Sequence, residues 1–192
     1  MKNLQVKTIV ISIAIFISIL VIVPSCKEDT IAPSKSPVNL IQNSSFESNG
    51  QPSLQSWWVP DTIVSRLVED APQSGRKWSL ELVPGWIPQQ FCARTYLSGQ
   101  SGTGIYKLTI SMKNLTLANM WDPCILLGRI VNNKWTSSKT ISTNSTSWQT
   151  LSIIDTISLQ PNDTLAVQLS GGAGERASGS ARFDLVELKR LN

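Results

Sequence analysis

The chain has 192 residues, 41% of them hydrophobic and 16% charged, which is the composition of a globular protein long enough for one buried core. Its formal net charge of +4 comes from basic residues scattered along the sequence, so nothing marks a nucleic-acid-binding surface and no nucleic-acid partner is expected. The sequence contains no histidine, which removes the usual general base, the Ser-His dyad and the commonest metal ligand.

The N-terminal segment has the layout of a secretory signal. Lys2 and Lys7 precede an apolar run, Ile9–Val23, and small residues follow it. This run is shorter than the ~20 apolar residues of a spanning helix, which favours a cleaved signal over an uncleaved N-terminal anchor, the alternative. Val23-Pro24-Ser25-Cys26 resembles the lipobox of bacterial lipoproteins. The resemblance implies a signal peptide over residues 1–25 and membrane attachment through lipid on Cys26.

The next segment, residues 26–37, is interpreted as the lipidated cysteine and a flexible tether, because it is polar and contains two prolines. Lys27-Glu28-Asp29 resembles the short charged tag that sends lipoproteins to the cell surface in one group of Gram-negative bacteria. A solvated charge cluster is the alternative interpretation. The expected location is therefore the cell envelope, lipid-anchored at the outer membrane and exposed at the surface.

Strand signals dominate residues 38–192, which we interpret as one β-sandwich domain. From Tyr106 to Lys113 apolar and polar side chains alternate, as in a sheet with one buried face, and Asn132-Asn133 indicates a hairpin turn. No segment has a convincing helical stripe. The predicted strands are Ile63–Glu69, Trp78–Val83, Phe91–Leu97, Tyr106–Asn114, Cys124–Val131, Trp135–Ile141, Trp148–Ile154, Thr164–Ser170 and Ala181–Leu188. Many short strands with frequent turns predict an all-β, antiparallel sandwich or jelly roll.

Several segments of this domain resemble, in order, the carbohydrate-binding modules of the galactose-binding-like jelly-roll superfamily. These segments are Asn39–Glu47 followed by Trp57-Trp58, Ser74–Leu82, Tyr106–Lys113, Trp148-Gln149-Thr150 and Phe183–Leu188. At the closing strand, family members often have two consecutive acidic residues, whereas here Leu185 follows Asp184. The resemblance implies a jelly-roll fold and a non-catalytic module that binds glycans.

Many members of that superfamily hold a structural calcium ion where the first strand meets the last. Glu47 and Asp184 occupy the matching positions, and Ca²⁺ prefers carboxylates supplemented by backbone carbonyls. The resemblance therefore implies a Ca²⁺ site at these two residues. In the alternative, Glu47 makes a turn hydrogen bond and Asp184 caps a strand.

Sugar-binding sites combine aromatic faces with a few placed polar groups, and the sequence has 7 tryptophans. Trp58 and Trp148 match core positions of the superfamily, and Trp57 fits either role. The predicted carbohydrate-binding residues are Trp86 and Trp121 in loops, Trp135 after a hairpin turn, Trp78 at a strand start, and Arg94, Tyr96 and Gln90 on one strand face. Rings that only cover the ends of the sandwich, or that mark a protein interface, are the alternative.

Cys92 and Cys124 are expected to remain separate thiols, because their strand positions suggest side chains that point apart.

Enzymatic activity is not expected, because the sequence has no histidine and no clustered acidic motif. The leading hypothesis is an anchored module that captures polysaccharide or glycan. The alternative is a structural or protein–protein interaction domain at the cell surface.

Overall fold

The computed structural model describes residues 36–60, 65–83, 92–115, 122–172 and 181–192. Contacts divide the chain into two units, Met1–Ser36 and Pro37–Asn192, and the strands belong to the second unit. The predicted signal peptide, Cys26 and most of the tether lie outside the described residues, as do Trp86, Gln90 and Trp121. In the part of the chain that is described, there is no helix of the length and apolarity needed to cross a membrane.

The described residues form eleven strands. In chain order they are β1 (Glu47–Ser48), β2 (Gln51–Pro52), β3 (Ser65–Val68), β4 (Ser79–Leu82), β5 (Cys92–Leu97), β6 (Gly102–Asn114), β7 (Cys124–Val131), β8 (Lys134–Ser142), β9 (Gln149–Leu159), β10 (Thr164–Ser170) and β11 (Ala181–Arg190).

These strands form two larger sheets and one small hairpin. The four-stranded sheet has the order β5-β10-β7-β8, the five-stranded sheet has the order β3-β4-β11-β6-β9, and β1 pairs with β2. Every pairing is antiparallel. The prediction of an all-β antiparallel sandwich is confirmed.

The core lies between the two sheets and is built by alternation along their central strands. Because successive side chains of a strand point to opposite faces, every second residue of β6 and β10 enters the core. The core residues of these two strands are Tyr106, Leu108, Ile110, Met112, Leu165, Val167 and Leu169, all at most 1% exposed. Full burial of each such side chain contributes roughly 1.5–3 kcal/mol, so the alternation seen in the sequence accounts for how the sheets pack.

Ion pairs cover one end of the outer face of the five-stranded sheet. The buried Glu81 carboxylate accepts hydrogen bonds from Arg66 Nε at 2.7 Å and from Arg182 Nε at 2.8 Å. Asp70 is paired with both Arg182 and Lys113. Burial raises the pKa of Asp70, but the hydrogen bonds from Lys113 and Arg182 outweigh it and leave that pKa below its ordinary value. The charges at this end of the face therefore satisfy one another.

The two cysteines of the domain lie on the same face of the four-stranded sheet, which corrects the expectation that they point apart. Cys92 on β5 and Cys124 on β7 each pair with Ser170 of β10, which lies between them. Directly paired residues share a face of the sheet. Two strand spacings separate them by about 10 Å, too far for a disulfide, and both thiols are unbridged. Alternation shows which residues of one strand share a face, but not which face of the sheet that is.

The structure places Trp57, for which the sequence left two roles open, in the core, and it differs from the sequence assignments of Trp58 and Trp148. Trp57 is 7% exposed, packs on Phe46 with ring centroids 5.1 Å apart, and donates its indole N–H to Asn43 O at 2.8 Å. Trp58, expected in the core, is instead 44% exposed. Trp148, also expected in the core, is half-buried under the Lys113 ammonium, 5.1 Å from its ring centroid. The core prediction is wrong for Trp58 and Trp148.

Trp57→Ala is expected to lower the free energy of unfolding by about 3–5 kcal/mol, because it removes a packed ring from the core. Trp58→Ala is expected to cost about 1 kcal/mol or less, because it mainly removes a partly exposed cation–π contact. Urea unfolding followed by circular dichroism measures both changes. Equal losses for the two variants would contradict the opposite orientation of these neighbours.

Candidate functional site

The outer face of the four-stranded sheet has a row of small residues at its centre. Ala166 and Gln168 are the residues of β10 that point away from the core between Leu165 and Leu169. Ala166 pairs with Tyr96 on one side and with Gly128 on the other. Because Ala166 and Gly128 have little or no side chain, larger neighbouring side chains have room to lie across the sheet. Ala166 and Gln168 are buried even though they face outward.

Aromatic rings and an arginine occupy that space. The Arg94 guanidinium carbon lies 5.3 Å from the ring centroid of Trp58 and 5.5 Å from that of Trp135. Arg94 Nε donates to Gln168 Oε1 at 2.5 Å, and Tyr96 and Trp58 have ring centroids 6.5 Å apart. We refer to Trp58, Arg94, Tyr96 and Trp135 as the aromatic–arginine cluster. Its members hold one another in place, which lowers the cost of ordering them when a ligand binds.

Backbone geometry sets the position of each tryptophan in the cluster. Trp58 pairs with Arg94 at the edge of β5 through two backbone hydrogen bonds, Trp58 N to Arg94 O at 2.7 Å and Arg94 N to Trp58 O at 2.9 Å. Trp135 follows the two-residue turn Asn132-Asn133, where both residues have positive φ, 49° and 62°. Asparagine tolerates this left-handed conformation, and such turns favour tight hairpins. The turn therefore fixes Trp135 at the start of β8.

An open depression of about 380 Å³ lies at the cluster. It is lined by Arg94, Tyr96, Ile130, Asn133, Trp135 and Thr164. These residues supply two aromatic rings, a cationic donor, an amide and a hydroxyl, and no carboxylate. The indole N–H of Trp135 is buried and has no hydrogen-bond partner among the described residues. The depression suits a ligand with both apolar faces and hydroxyl groups.

The structure brings together three of the predicted carbohydrate-binding residues, Arg94, Tyr96 and Trp135. Trp78 lies elsewhere, directly before β4 of the other sheet, with the Lys77 ammonium 5.3 Å from its ring centroid. The other predicted residues, Trp86, Gln90 and Trp121, lie outside the described residues.

Trp58 is the cluster member that the sequence prediction missed. Two consecutive residues of an extended segment point to opposite sides, so Trp57 and Trp58 could not both enter one core. The sequence therefore indicates that one of the two rings lies outside the core, but it does not indicate which one.

The predicted metal residues, Glu47 and Asp184, are both buried. Glu47 Oε2 accepts hydrogen bonds from the backbone N–H groups of Lys77 at 3.1 Å and Trp78 at 3.2 Å. Asp184 Oδ1 accepts the backbone N–H of Leu185 at 2.7 Å, whereas Asp184 Oδ2 is buried and has no hydrogen-bond partner among the described residues. Glu47 thus has backbone N–H partners, and its Oε1 lies 3.7 Å from Arg76 Nε, while one oxygen of Asp184 has no partner among the described residues.

The surroundings of Asp184 fit a cation. Burial, with a smaller contribution from the nearby Glu47 carboxylate, raises the pKa of Asp184 to about 7 against the opposing effect of the Leu185 N–H. A Cβ atom at Gly75 would lie 2.4 Å from Asp184 Oδ2, so only glycine leaves that oxygen its space. No group of three or more acidic, cysteine or histidine side chains that could hold a metal occurs among the described residues. Among the described residues, further ligands of a Ca²⁺ ion would be oxygens of backbone or side-chain carbonyls, or waters.

No protein-family model matches the chain, and no curated protein sequence matches it. Solved structures do match. A family 16 carbohydrate-binding module superposes with a TM-score of 0.56 at 16% identity, covering 78% of this chain and 99% of the module. TmCBM61 in complex with beta-1,4-galactotriose gives a TM-score of 0.51 at 16% identity, covering 80% of this chain and 99% of that one.

An arabinose-bound α-L-arabinofuranosidase also matches, with a TM-score of 0.55 at 18% identity, covering 79% of this chain but only 26% of the enzyme. These likenesses show the fold. The domain has the jelly-roll sandwich of carbohydrate-binding modules.

Proposed function

We propose that this protein is an envelope-anchored lipoprotein whose β-sandwich is a non-catalytic carbohydrate-binding module that captures polysaccharide or glycan. The observation that carries the proposal is the aromatic–arginine cluster on the outer face of the four-stranded sheet, where Arg94 is held between two tryptophan rings. The anchoring part rests on the sequence of residues 1–26.

The chemistry of the cluster suits a sugar ring, which has apolar C–H faces and a rim of hydroxyl groups. The exposed ring of Trp58 and the ring of Trp135 in the depression offer surfaces for the C–H groups. Asn133 and Thr164 add an amide and a hydroxyl at the same depression, so hydroxyl groups of the ligand have partners. Because Arg94 is already held by Gln168, its donors are oriented before the ligand arrives.

The fold likeness supports a carbohydrate ligand. Two of the similar structures are carbohydrate-binding modules, each matched over 99% of its length, and one of them holds β-1,4-galactotriose. The matched part of the arabinofuranosidase is about a quarter of that enzyme.

A binding role is favoured over hydrolysis by the residues at the depression. Hydrolysis of a glycosidic bond ordinarily needs two carboxyl groups on either side of it. In the described part of the chain, the residues that line the depression carry no carboxylate, and the sequence has no histidine to replace one as a general base.

The residues around Asp184 support a structural role for Ca²⁺ in this module. Glu47 and Asp184 would hold the ion, and their two carboxylates would be neutralised by it. Bound there, the ion would connect the first strand of the domain to the last, since Glu47 belongs to β1 and Asp184 to β11.

Trp135→Ala and Trp58→Ala are each expected to weaken glycan binding by tenfold or more, which corresponds to about 1.4 kcal/mol, because each removes a stacking face. The measurement is isothermal titration of the full chain with polysaccharides and with xylo-, cello- and β-1,4-galacto-oligosaccharides. Trp148→Ala, which removes a tryptophan from the other sheet, is the control and should keep the wild-type affinity. Binding to no glycan in a broad panel would favour the structural or protein-interaction role instead.

Removal of calcium with a chelator is expected to lower the melting temperature of the wild-type protein by about 5–10 °C, if the ion is present at roughly a hundred times its dissociation constant. Asp184→Asn is expected to make the melting temperature insensitive to chelator and to added calcium. Asp122→Asn, at an exposed residue, is the matched control and should respond like wild type. A wild-type melting temperature that calcium does not change would exclude the metal.

Intact-mass measurement of the protein extracted from its native membrane is expected to show a chain that starts at Cys26 and carries acyl groups. Cys26→Ser is expected to prevent both the acylation and the cleavage that releases residues 1–25. A native protein that retains Met1 without lipid would disprove the anchoring part and leave the glycan part standing.

A further inference from the structure

A second depression lies beside the aromatic–arginine cluster, on the other side of Tyr96. Its volume is about 310 Å³, at the lower end of the range for small-molecule sites. Of the described residues, Tyr96 alone lines both this depression and the first. We call it the edge pocket.

The edge pocket occupies the open side of the sandwich, next to β5, which is the last strand of its sheet. The chain before β1 runs along β11 of the other sheet: Leu40 N donates to Leu188 O at 2.7 Å, and Asn39 forms a bridge with Lys189. Leu40 and Leu97 therefore approach the pocket from the two different sheets. The gap between the sheet edges is what makes the pocket concave.

The side chains at the pocket combine an apolar surface with uncharged polar groups. Leu40 and Leu97 provide the apolar part, and Tyr96, which is 44% exposed, provides a ring. Amides and hydroxyls complete the lining: Gln42, Ser56, Ser98 and Gln100, with Thr95. The Ser56 hydroxyl lies 3.2 Å from Gln42 Oε1 and donates to it.

None of the described residues that line the edge pocket is charged. Carboxylate and phosphate ligands are ordinarily held by arginine, lysine or clustered backbone N–H groups, and cations by carboxylates. An uncharged lining of amides and hydroxyls instead suits a ligand that is itself uncharged and rich in hydroxyl groups. The carboxamides of Gln42 and Gln100 can each donate and accept, as neighbouring hydroxyls of a sugar require.

We propose that the edge pocket is a second subsite for a neutral sugar unit, so that one glycan passes across Tyr96 and occupies both depressions. This inference rests on the proposed function and adds to it a ligand class: a neutral glycan of more than one unit. Tyr96 forms the boundary because its ring is exposed and lines both sides. The two subsites act as one continuous site, so affinity increases with the length of the glycan.

The test measures how the affinity of the full chain depends on glycan length. A disaccharide and a tetrasaccharide from a neutral series that binds, such as the xylo- or β-1,4-galacto-oligosaccharides, are titrated calorimetrically. For wild type, the tetrasaccharide is expected to bind on the order of tenfold more tightly than the disaccharide. For the double variant Gln42→Ala/Gln100→Ala, the ratio of the two dissociation constants is expected to approach one.

A second variant, Ser98→Phe, fills the edge pocket from an exposed position without removing either glutamine, and should abolish the length dependence in the same way. Gln51→Ala, an exposed glutamine on the β1–β2 hairpin, is the matched control and should keep the wild-type ratio. Unchanged melting temperatures confirm that all variants are folded.

The outcomes separate the two proposals. If wild type binds the glycans and the variants keep the tenfold gain with length, the edge pocket is not a subsite while the proposed function stands. If wild type itself binds none of the glycans, the proposed function fails, and the edge-pocket inference fails with it.

Discussion

The backbone pairing of Trp58 with Arg94 is the contact on which the candidate site depends. Trp57 enters the core on one side of this segment, so Trp58 must leave it on the other and extend the outer face of β5. Ser56, with φ of 68°, adopts the left-handed conformation that a residue other than glycine rarely accepts. The same segment thus places one ring in the core and the next in the aromatic–arginine cluster, and it lines the edge pocket through Ser56.

The outer faces of the two sheets differ in chemistry. Near Glu81 the five-stranded sheet turns a charged face outward, where Arg66 and Arg182 pair with its buried carboxylate and satisfy it internally. On the four-stranded sheet the small residues Ala166 and Gly128 leave room above the strands, and this room is occupied by rings and by one arginine. Charged groups that pair with one another have few hydrogen-bonding positions left for a ligand. Aromatic rings with an exposed side, in contrast, offer a surface on which a ligand can pack. The difference in side-chain size along β10 and β7 therefore decides which face is suited to binding.

The buried carboxylates belong to a third region, which concerns stability. Asp184 precedes a bulge in β11 where Leu185 takes a positive φ of 50°. A bulge changes the direction in which neighbouring side chains point, and here Asp184 is enclosed near Glu47 and against Gly75. Two buried acids repel one another unless a proton or a cation intervenes. The proposed Ca²⁺ site lies at β1 and β11 and the proposed glycan site on the four-stranded sheet, so a change in one need not alter the other.

Sequence patterns alone predict the fold class, most strand positions and the core of β6 and β10, because period-two alternation is a local property that survives folding. They also predict Arg94, Tyr96 and Trp135 as candidate site residues, and the structure brings these three together. The packing of the folded chain is needed to show that Trp58 joins them, that Trp78 and Trp148 do not, and that Cys92 and Cys124 share a face. Those facts depend on which strands become neighbours and which face of a sheet meets the core. Both are set by packing between residues far apart in the chain, which local periodicity does not encode.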